Sequence, residues 1–198
     1  MKIDQEETRQ NGELLGLYYT NMNLALSLLE MHRLQGADSL PEAEAVLTEA
    51  IEVAERGVAE KSWPCFWLSI VYTFQDRLQE ARQMLVAAEQ ALEHPTFWNE
   101  LNLARAQAEL AVAELRWQDA FTNYETTVGI LSRKGIRLDW ARALQEWAEA
   151  HVARGEPADK ERAKVLYNEA LNLFEEMGTT YYANFVEEQM LRLERNSA

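Results

Sequence analysis

The chain is 198 residues long, which suits one domain, and it is rich in the helix-forming residues Ala, Leu, Glu, Gln and Arg. Its formal net charge of −14 at pH 7 disfavours binding to nucleic acid, whose affinity comes mainly from phosphate neutralisation by Lys and Arg. The single cysteine, Cys65, excludes an internal disulfide, and eight glycines with four prolines are too few for a β-sandwich. The composition therefore predicts an all-α protein.

The start of the chain, MKIDQEETRQ, carries acidic and polar residues where a secretory signal needs a basic patch and an apolar stretch. The most apolar segment, WPCFWLSIVYTF at residues 63–74, is shorter than the ~20 residues that cross a bilayer. We therefore expect a soluble, cytoplasmic protein with no membrane partner.

Apolar periodicity and the positions of Gly and Pro predict nine helices. In chain order they cover residues 12–35, 40–56, 63–75, 77–93, 96–116, 118–134, 138–154, 158–177 and 180–195. The even-numbered helices are each followed by a residue that favours termination, namely Gly57, Pro95, Gly135 and Gly178. Basic residues cluster near 133–137 and 154–164, and we interpret these clusters as solvated helix ends.

One pattern recurs four times: Ala, a large residue four positions later, and a small residue three positions after that. It occurs as Ala43–Leu47–Ala50, Ala81–Leu85–Ala88, Ala120–Tyr124–Thr127 and Ala163–Tyr167–Ala170. The leading alanines are 38, 39 and 43 residues apart. This spacing places each triplet on one helix face, and the small residues let a second helix approach closely. We call these twelve residues the seam, and they predict stacked helical hairpins followed by a capping helix at 180–195.

The last hairpin resembles the tetratricopeptide repeat family in seven positions: Leu144, Trp147, Ala148, Gly155, Ala163, Tyr167 and Ala170. The second hairpin resembles it through Cys65, Leu68, Ser69, Tyr72, Ala81, Leu85 and Ala88. The third departs from the family pattern, with Thr127 for the final Ala and no turn glycine. The resemblance implies one right-handed α-solenoid of about four helix pairs plus the cap, with repeats at 12–57, 61–95, 96–135 and 138–178.

The long repeats are similar to the helical arrays of MalT-like ATP-dependent transcription activators and of bacterial multidomain signalling ATPases. This resemblance implies a non-catalytic interaction or sensor module in a bacterial signalling or transcription regulator. It also implies that the first helix of each pair lines a concave groove for a protein or peptide partner. The implied groove residues are Asn23, Glu30, Arg33, Trp63, Phe66, Ile70, Phe74, Asn102, Arg105, Glu109, Arg142, Gln145 and Glu149. Glu30, Ile70 and Glu109 stand where chaperone-binding domains of the family use Asn to clamp a carboxylate, so we do not expect that role.

The apolar run at 63–74 allows several interpretations. Its side chains are buried against a neighbouring first helix, or they form an aromatic patch for an apolar anchor of a partner peptide. Two alternatives remain open. In the first, a small-molecule effector is enclosed by the aromatic residues Trp63, Phe66, Trp67, Tyr72 and Phe74. In the second, the run forms the surface of a homodimer.

Catalytic motifs are absent from the sequence. His32, His94 and His151 are far apart and none has the HExxH spacing of a zinc site. The sequence also has no phosphate-binding loop, dinucleotide fingerprint or nucleophile elbow. Cys65 lies in an apolar segment, which raises a thiol pKa and makes it unreactive. We therefore expect no enzymatic activity, no cofactor and no metal.

Overall fold

The computed structural model describes residues 5–92 and 96–195, and within these ranges it contains nine helices and no strand. The all-α prediction is confirmed. No helix in the two ranges is long and apolar enough to cross a membrane. The helices are α1 Gln5–Gln35, α2 Leu40–Ala54, α3 Ser62–Phe74, α4 Leu78–Gln90, α5 Phe97–Ala113, α6 Trp117–Lys134, α7 Arg137–Arg154, α8 Asp159–Glu176 and α9 Thr180–Arg195. The chain divides into two compact units, residues 1–106 and 107–198, where the sequence predicts a single domain.

Eight of the nine helices begin and end within three residues of their predicted positions. The exception is α1, which begins at Gln5 and not at residue 12. The helix continues through Gly12 because strong helix formers flank it and Arg9 pairs with Glu13 one turn later, at 3.4 Å. The predicted helix end at Pro95, together with His94, lies outside the described residues.

In the first unit, α1 packs on α2 and α3 on α4, and α3 also contacts α1 and α2. Buried hydroxyl groups hold these helices to one another. The Tyr18 hydroxyl on α1 donates to the carbonyl of Glu60 at 2.8 Å, just before α3. The Ser39 hydroxyl, before α2, donates to the carbonyl of Leu28 on α1 at 2.7 Å. These bonds fix the relative positions of α1, α2 and α3.

In the second unit, α7 packs on α6 and α8, and α9 packs on α8. Its core contains Leu144, Tyr167, Phe174 and Val186, all at most 2 % exposed. Tyr182 of α9 stacks on Phe174 with ring centroids 5.1 Å apart. Helix α9 thus covers the apolar face of α8, which is the position expected for a capping helix.

All twelve seam residues are buried, with Leu85 the most exposed at 7 %. The close approach that the small residues permit is visible between α3 and α4, where the buried Ser69 hydroxyl donates to the carbonyl of Ala81 at 3.0 Å. The predicted buried seam is therefore confirmed on α2, α4, α6 and α8.

The turns that follow α1, α3, α5 and α7 each contain a residue with left-handed backbone. Gly36 and Gly155 occupy this position in the first and last hairpins, with φ of 64° and 72°. In the middle hairpins the residues are Asp76 and Leu115, with φ of 60° and 58°. The same turn therefore forms with and without glycine, because the connection between the two helices requires a residue with left-handed backbone.

Candidate functional site

The apolar run forms α3, and nine of the thirteen residues of this helix are buried. Among the predicted groove residues, Phe66 is 0 % and Ile70 is 3 % exposed, so both lie in the core. Trp67, Tyr72 and Phe74 are half-buried and leave part of each ring accessible. Any binding by α3 therefore depends on these partly exposed rings.

Two of these rings are covered by arginines from neighbouring helices. Arg33 of α1 lies over the Phe74 ring, with its guanidinium carbon 5.2 Å from the ring centroid. Arg105 of α5 lies over the Trp67 ring at the same distance, 5.2 Å. We call Arg33, Trp67, Phe74 and Arg105 the Arg–aromatic surface. It joins three helices that are each the first of a predicted pair.

The aromatic residues of α3 do not share one contact partner. Tyr72 lies under Arg77, with the guanidinium carbon 4.1 Å from its ring, while Trp67 and Phe74 are covered by other arginines. A shallow open depression in this unit is formed by α4 side chains without any aromatic residue: Gln79, Arg82, Gln83, Val86, Ala87 and Gln90. These positions favour a surface over the enclosed aromatic pocket considered from the sequence.

The other predicted groove residues of the first unit differ in exposure. Asn23 is exposed, Glu30 and Trp63 are half-buried, and Asn102 is buried. The Trp63 indole nitrogen is buried and has no hydrogen-bond partner among the described residues. Only Arg33, Phe74 and Arg105 of the predicted groove residues belong to the Arg–aromatic surface.

Sequence reasoning did not identify Asn99, which is 1 % exposed. Its side-chain amide donates to the Glu60 carboxylate at 2.8 Å and to the Ser62 hydroxyl at 3.3 Å. Its carbonyl oxygen accepts from the backbone N–H of Thr96 at 2.7 Å. Thr96 and Asn99 span the start of α5 with the spacing of a capping box, in which Asn takes the place of the usual Glu or Gln, but the link of Asn99 to α3 is visible only in the structure.

In the second unit, Arg142, Gln145 and Glu149 follow one another at i, i+3 and i+7 along α7, and we call them the α7 polar row. The Gln145 amide donates to the Glu149 carboxylate at 3.0 Å, and Gln145 is only 2 % exposed. Arg142 donates to Asp139 at 3.4 Å and to the hydroxyl of Tyr182 on α9. Glu109, the remaining predicted residue, is 7 % exposed on α5.

A buried ionic cluster closes the turn between α7 and α8, and sequence reasoning missed it. Asp159 is 1 % exposed. Its carboxylate accepts from Arg154 Nε at 2.7 Å, from the Glu156 backbone N–H at 2.9 Å and from His151 Nδ1 at 2.6 Å. The His151 ring stacks on Phe121, with centroids 4.2 Å apart. The residues lie close together in HVARGEPAD, a spacing that could have indicated the cluster.

The electrostatics of this cluster favour a structural role. Hydrogen bonds from Arg154 and His151 hold the pKa of Asp159 well below its usual range. Burial lowers the pKa of His151 although Asp159 is adjacent, because Arg154 already neutralises that carboxylate. His151 is therefore neutral near pH 7 and orients the turn by donating from Nδ1.

The single cysteine of the sequence, Cys65, is buried. Burial raises the pKa of the Cys65 thiol to about 11, so the thiol stays protonated at neutral pH and is a poor nucleophile. Within residues 5–92 and 96–195, no group of three or more His, Cys, Asp or Glu side chains is arranged to hold a metal ion.

Comparison with models of known protein families finds no match, and a search of curated proteins finds no relative.

Proposed function

We propose that the chain is a non-catalytic protein-interaction module that binds a partner peptide at the Arg–aromatic surface. The observation that carries this proposal is the pair of partly exposed rings, Trp67 and Phe74, each covered by an arginine of a neighbouring helix. In architecture the module is a right-handed α-solenoid of four tetratricopeptide-like helix pairs with α9 as its cap.

The residue types of this surface support the proposal. Trp and Arg are enriched among the residues that contribute most to binding energy at protein interfaces. A fully buried aromatic side chain contributes about 1.5–3 kcal/mol, and because these rings are already half-buried we expect roughly 1 kcal/mol from each. Micromolar binding requires ~8 kcal/mol, so polar contacts along the partner backbone complete the interaction.

The charges of the surface restrict the partner. Arg33 and Arg105 on the surface and half-buried Glu30 on α1 give it side chains of both charge signs. The preferred ligand is therefore a peptide with one or two large apolar side chains and charges of both signs.

Selection from a random peptide library tests this function. Peptides that bind the wild-type chain should lose about fivefold in affinity, or roughly 1 kcal/mol, with Trp67→Ala and with Phe74→Ala. Tyr181→Ala is the matched control, because Tyr181 is an aromatic residue that is 52 % exposed on α9. It should bind as the wild type does, and circular dichroism should show all three variants to be folded.

The proposal fails if selected peptides bind both surface variants and the control equally well. Phe66→Ala separates a binding defect from a folding defect. Phe66 is 0 % exposed, so its truncation should cost about 3–5 kcal/mol of stability and lower the melting temperature. The surface variants should not share that loss.

The proposed biological setting is a bacterial signalling or transcription regulator. The support is the resemblance of the closing repeat, from Arg154 to Ala183, to the repeats of such proteins. The coding sequence around this chain provides a test. An adjacent ATPase or helix-turn-helix domain would support the assignment, and a neighbouring domain of unrelated function would contradict it.

Self-association is a second candidate function, and a separate observation favours it. Leu17, Leu24 and Met31 repeat every seven residues along α1 and are 37 %, 38 % and 43 % exposed. Seven-residue apolar spacing is typical of helix pairing between chains. Light scattering across a concentration series should then show a dimer that Leu24→Lys returns to the monomer, and a monomer at every concentration would exclude it.

A further inference from the structure

Helix α1 is much longer than the helix on which it packs. It contains 31 residues, whereas α2 contains 15. The first buried side chain described on α1 is Tyr18, and among residues 9–17 only Leu14 is half-buried while the others are exposed. We call residues 9–17 the extension. An isolated helix this short is marginal in water, and Gly12 and Gly16 weaken it further. The extension therefore gains little from its own hairpin and would be stabilised by a further surface.

A row of exposed residues begins in the extension and continues along α1. Large and small side chains alternate in it at intervals of three and four residues: Leu17, Thr20, Leu24, Ser27 and Met31. We call these five residues the α1 stripe. Its two hydroxyl groups donate to backbone carbonyls four residues earlier, both at 2.9 Å. Burial of the stripe would therefore leave neither hydroxyl donor unpaired, and it would remove three large apolar side chains from water.

The α1 stripe is neutral in a strongly acidic protein. Residues 14–29 contain no Asp, Glu, Lys or Arg, whereas the whole chain has a net charge of −14. Two copies of the chain repel each other through this charge, and the repulsion is weakest where neutral faces meet. A basic partner would be attracted to the acidic surfaces and would gain nothing from a neutral stripe. The charge pattern therefore favours a second copy of the chain as the occupant.

We propose that the α1 stripe pairs with the α1 stripe of a second copy, with the two helices antiparallel. This inference rests on the self-association candidate described above and adds the orientation and the register. Full overlap of residues 9–35 in both copies places the two-fold axis at residue 22, their midpoint. Leu24 then lies opposite Thr20 of the second copy, and Leu17 lies opposite Ser27. Each leucine of the stripe thus meets a small residue, which lets the two helices interdigitate.

The antiparallel orientation also supports the extension. The extension lies against residues 27–35 of the second copy, which is the part of α1 that its own hairpin holds. There Leu28 and Leu29 are buried, and the carbonyl of Leu28 accepts from the Ser39 hydroxyl at 2.7 Å. A parallel pair would set the two weakly held extensions against each other and would place Glu13 opposite Glu13 of the second copy, where like charges repel. In the antiparallel pair Glu13 lies opposite Met31.

Disulfide cross-linking of the full chain tests the orientation, since the single native thiol, Cys65, is buried and its pKa is raised to about 11. Leu17→Cys and Ser27→Cys are oxidised separately and as an equimolar mixture, at a concentration where light scattering shows a dimer. The antiparallel pair predicts cross-linking in the mixture only, and it should reach about half of the chains because random pairing puts half of them in mixed dimers. Within either variant by itself the introduced thiols of the two copies are about 15 Å apart along the helices, too far to bridge.

The other outcomes separate this pairing from self-association itself. A parallel pair would cross-link Leu17→Cys by itself and Ser27→Cys by itself, and this result would overturn the proposed orientation while leaving the dimer established. A dimer with none of these cross-links would overturn the pairing as well. A monomer at every concentration would exclude both the pairing and the self-association candidate. Val165→Cys, 54 % exposed on α8, is mixed with Leu17→Cys as the control for random collisions, and equal cross-linking there would contradict the proposal.

Two further measurements do not depend on introduced thiols. We expect a Kd on the order of 100 μM, because a single helix pair is smaller than a standard interface. Pairing should stabilise the extension, so the helical circular dichroism signal per residue should rise with chain concentration in the wild type and not in Leu24→Lys. The dimer should become severalfold tighter when NaCl is raised from about 10 to 300 mM, because salt screens the repulsion between the acidic chains and the stripe has no ion pair to lose. A dimer that weakens with salt, or a helical signal independent of concentration, would contradict the proposal.

Discussion

At the scale of single residues, Leu115 has a side chain poorly suited to its backbone conformation. It follows α5 with φ of 58°, a conformation that non-glycine residues avoid because Cβ approaches the carbonyl oxygen. The next residue, Arg116, donates its backbone N–H to the carbonyl of Ala111 at 2.8 Å, which is the bond that closes a helix with a left-handed cap. The hydrogen bond and the hairpin thus impose a conformation that Leu itself disfavours.

We predict that Leu115→Gly stabilises the chain by about 0.5–1 kcal/mol, since glycine adopts positive φ without a steric penalty. Little packing is lost, because Leu115 is 68 % exposed. Denaturant unfolding measures the change, and Leu115→Ala is the control that keeps the Cβ atom. Equal stability of the two variants would contradict the assigned strain.

The buried cluster at the α7–α8 turn depends on Asp159. We predict that Asp159→Ala destabilises the fold by about 3 kcal/mol, because Arg154, His151 and the Glu156 N–H lose a shared acceptor in a buried site. Glu156→Ala should cost less than about 0.5 kcal/mol, since its side chain is 62 % exposed. Thermal unfolding of the two variants tests the difference, and a similar small loss for both would show the cluster to be unimportant.

The same cluster makes stability depend on pH. The pKa of His151 is lowered in the folded chain, so only the unfolded chain takes up a proton just below pH ~6.5, and stability falls as the pH falls. The pKa of Asp159 is also lowered, so its contribution is complete above ~3.9 and is lost as the pH falls further. We predict a smaller loss between pH 7 and 5 in His151→Gln than in the wild type, measured as the unfolding midpoint at each pH. Identical pH profiles would contradict this assignment.

At the scale of helices, the sequence predicts most boundaries because glycine and proline mark where helices end. The predicted starts and ends on either side of Gly36, Gly135, Gly155 and Gly178 lie within one residue of the observed ones. The α5–α6 turn has no such residue, and there the predicted end of α5 at 116 is three residues beyond the observed Ala113. Local sequence could not predict that Leu115 adopts a left-handed conformation, because tertiary contacts impose it.

The candidate site was predictable only in part. Helical spacing identifies which residues of α3 belong to one face, but it does not show how closely α1 and α5 cover that face. Phe66 and Phe74 are therefore equivalent in the sequence pattern, yet the first is fully buried and the second is half-exposed. The arginine over each surface ring comes from another helix, so no local pattern reveals it.

The seam allows a matched test on adjacent residues of α4. Leu85 is 7 % exposed within the seam, whereas its neighbour Val86 is 50 % exposed. We predict that Leu85→Ala costs about 2–4 kcal/mol through lost burial and a cavity, while Val86→Ala changes stability by less than about 0.5 kcal/mol. Chemical denaturation of both variants provides the comparison, and equal effects would show that the seam does not hold the hairpin together.

At the scale of the whole molecule, the dominant electrostatic property is the net charge of −14. Such a charge favours solubility and destabilises the compact state by self-repulsion. Salt screens repulsion between exposed carboxylates, whereas the buried Asp159 cluster is screened much less. The all-α class could be predicted from composition without any knowledge of these charge interactions, since helix formers dominate the chain throughout.

We predict that raising NaCl from about 10 to 300 mM increases the melting temperature by a few degrees, because relief of self-repulsion outweighs the loss of weak exposed ion pairs. Glu42 and Glu52 are both exposed on α2, and the double variant Glu42→Gln/Glu52→Gln should show a smaller salt effect. A melting temperature that falls with salt would mean that attractive surface pairs dominate.

The indole side chains give the protein its own optical reporters. Trp63, Trp67 and Trp98 belong to the first unit, and Trp117, Trp140 and Trp147 belong to the second. The indole N–H groups of Trp63, Trp140 and Trp147 are buried without a partner among the described residues, so each unit contains at least one fluorophore that should emit at short wavelength. When the three tryptophans of one unit are replaced by phenylalanine, only the tryptophans of the other unit still emit. The red shift of their emission on heating then follows the melting of the unit that keeps its tryptophans.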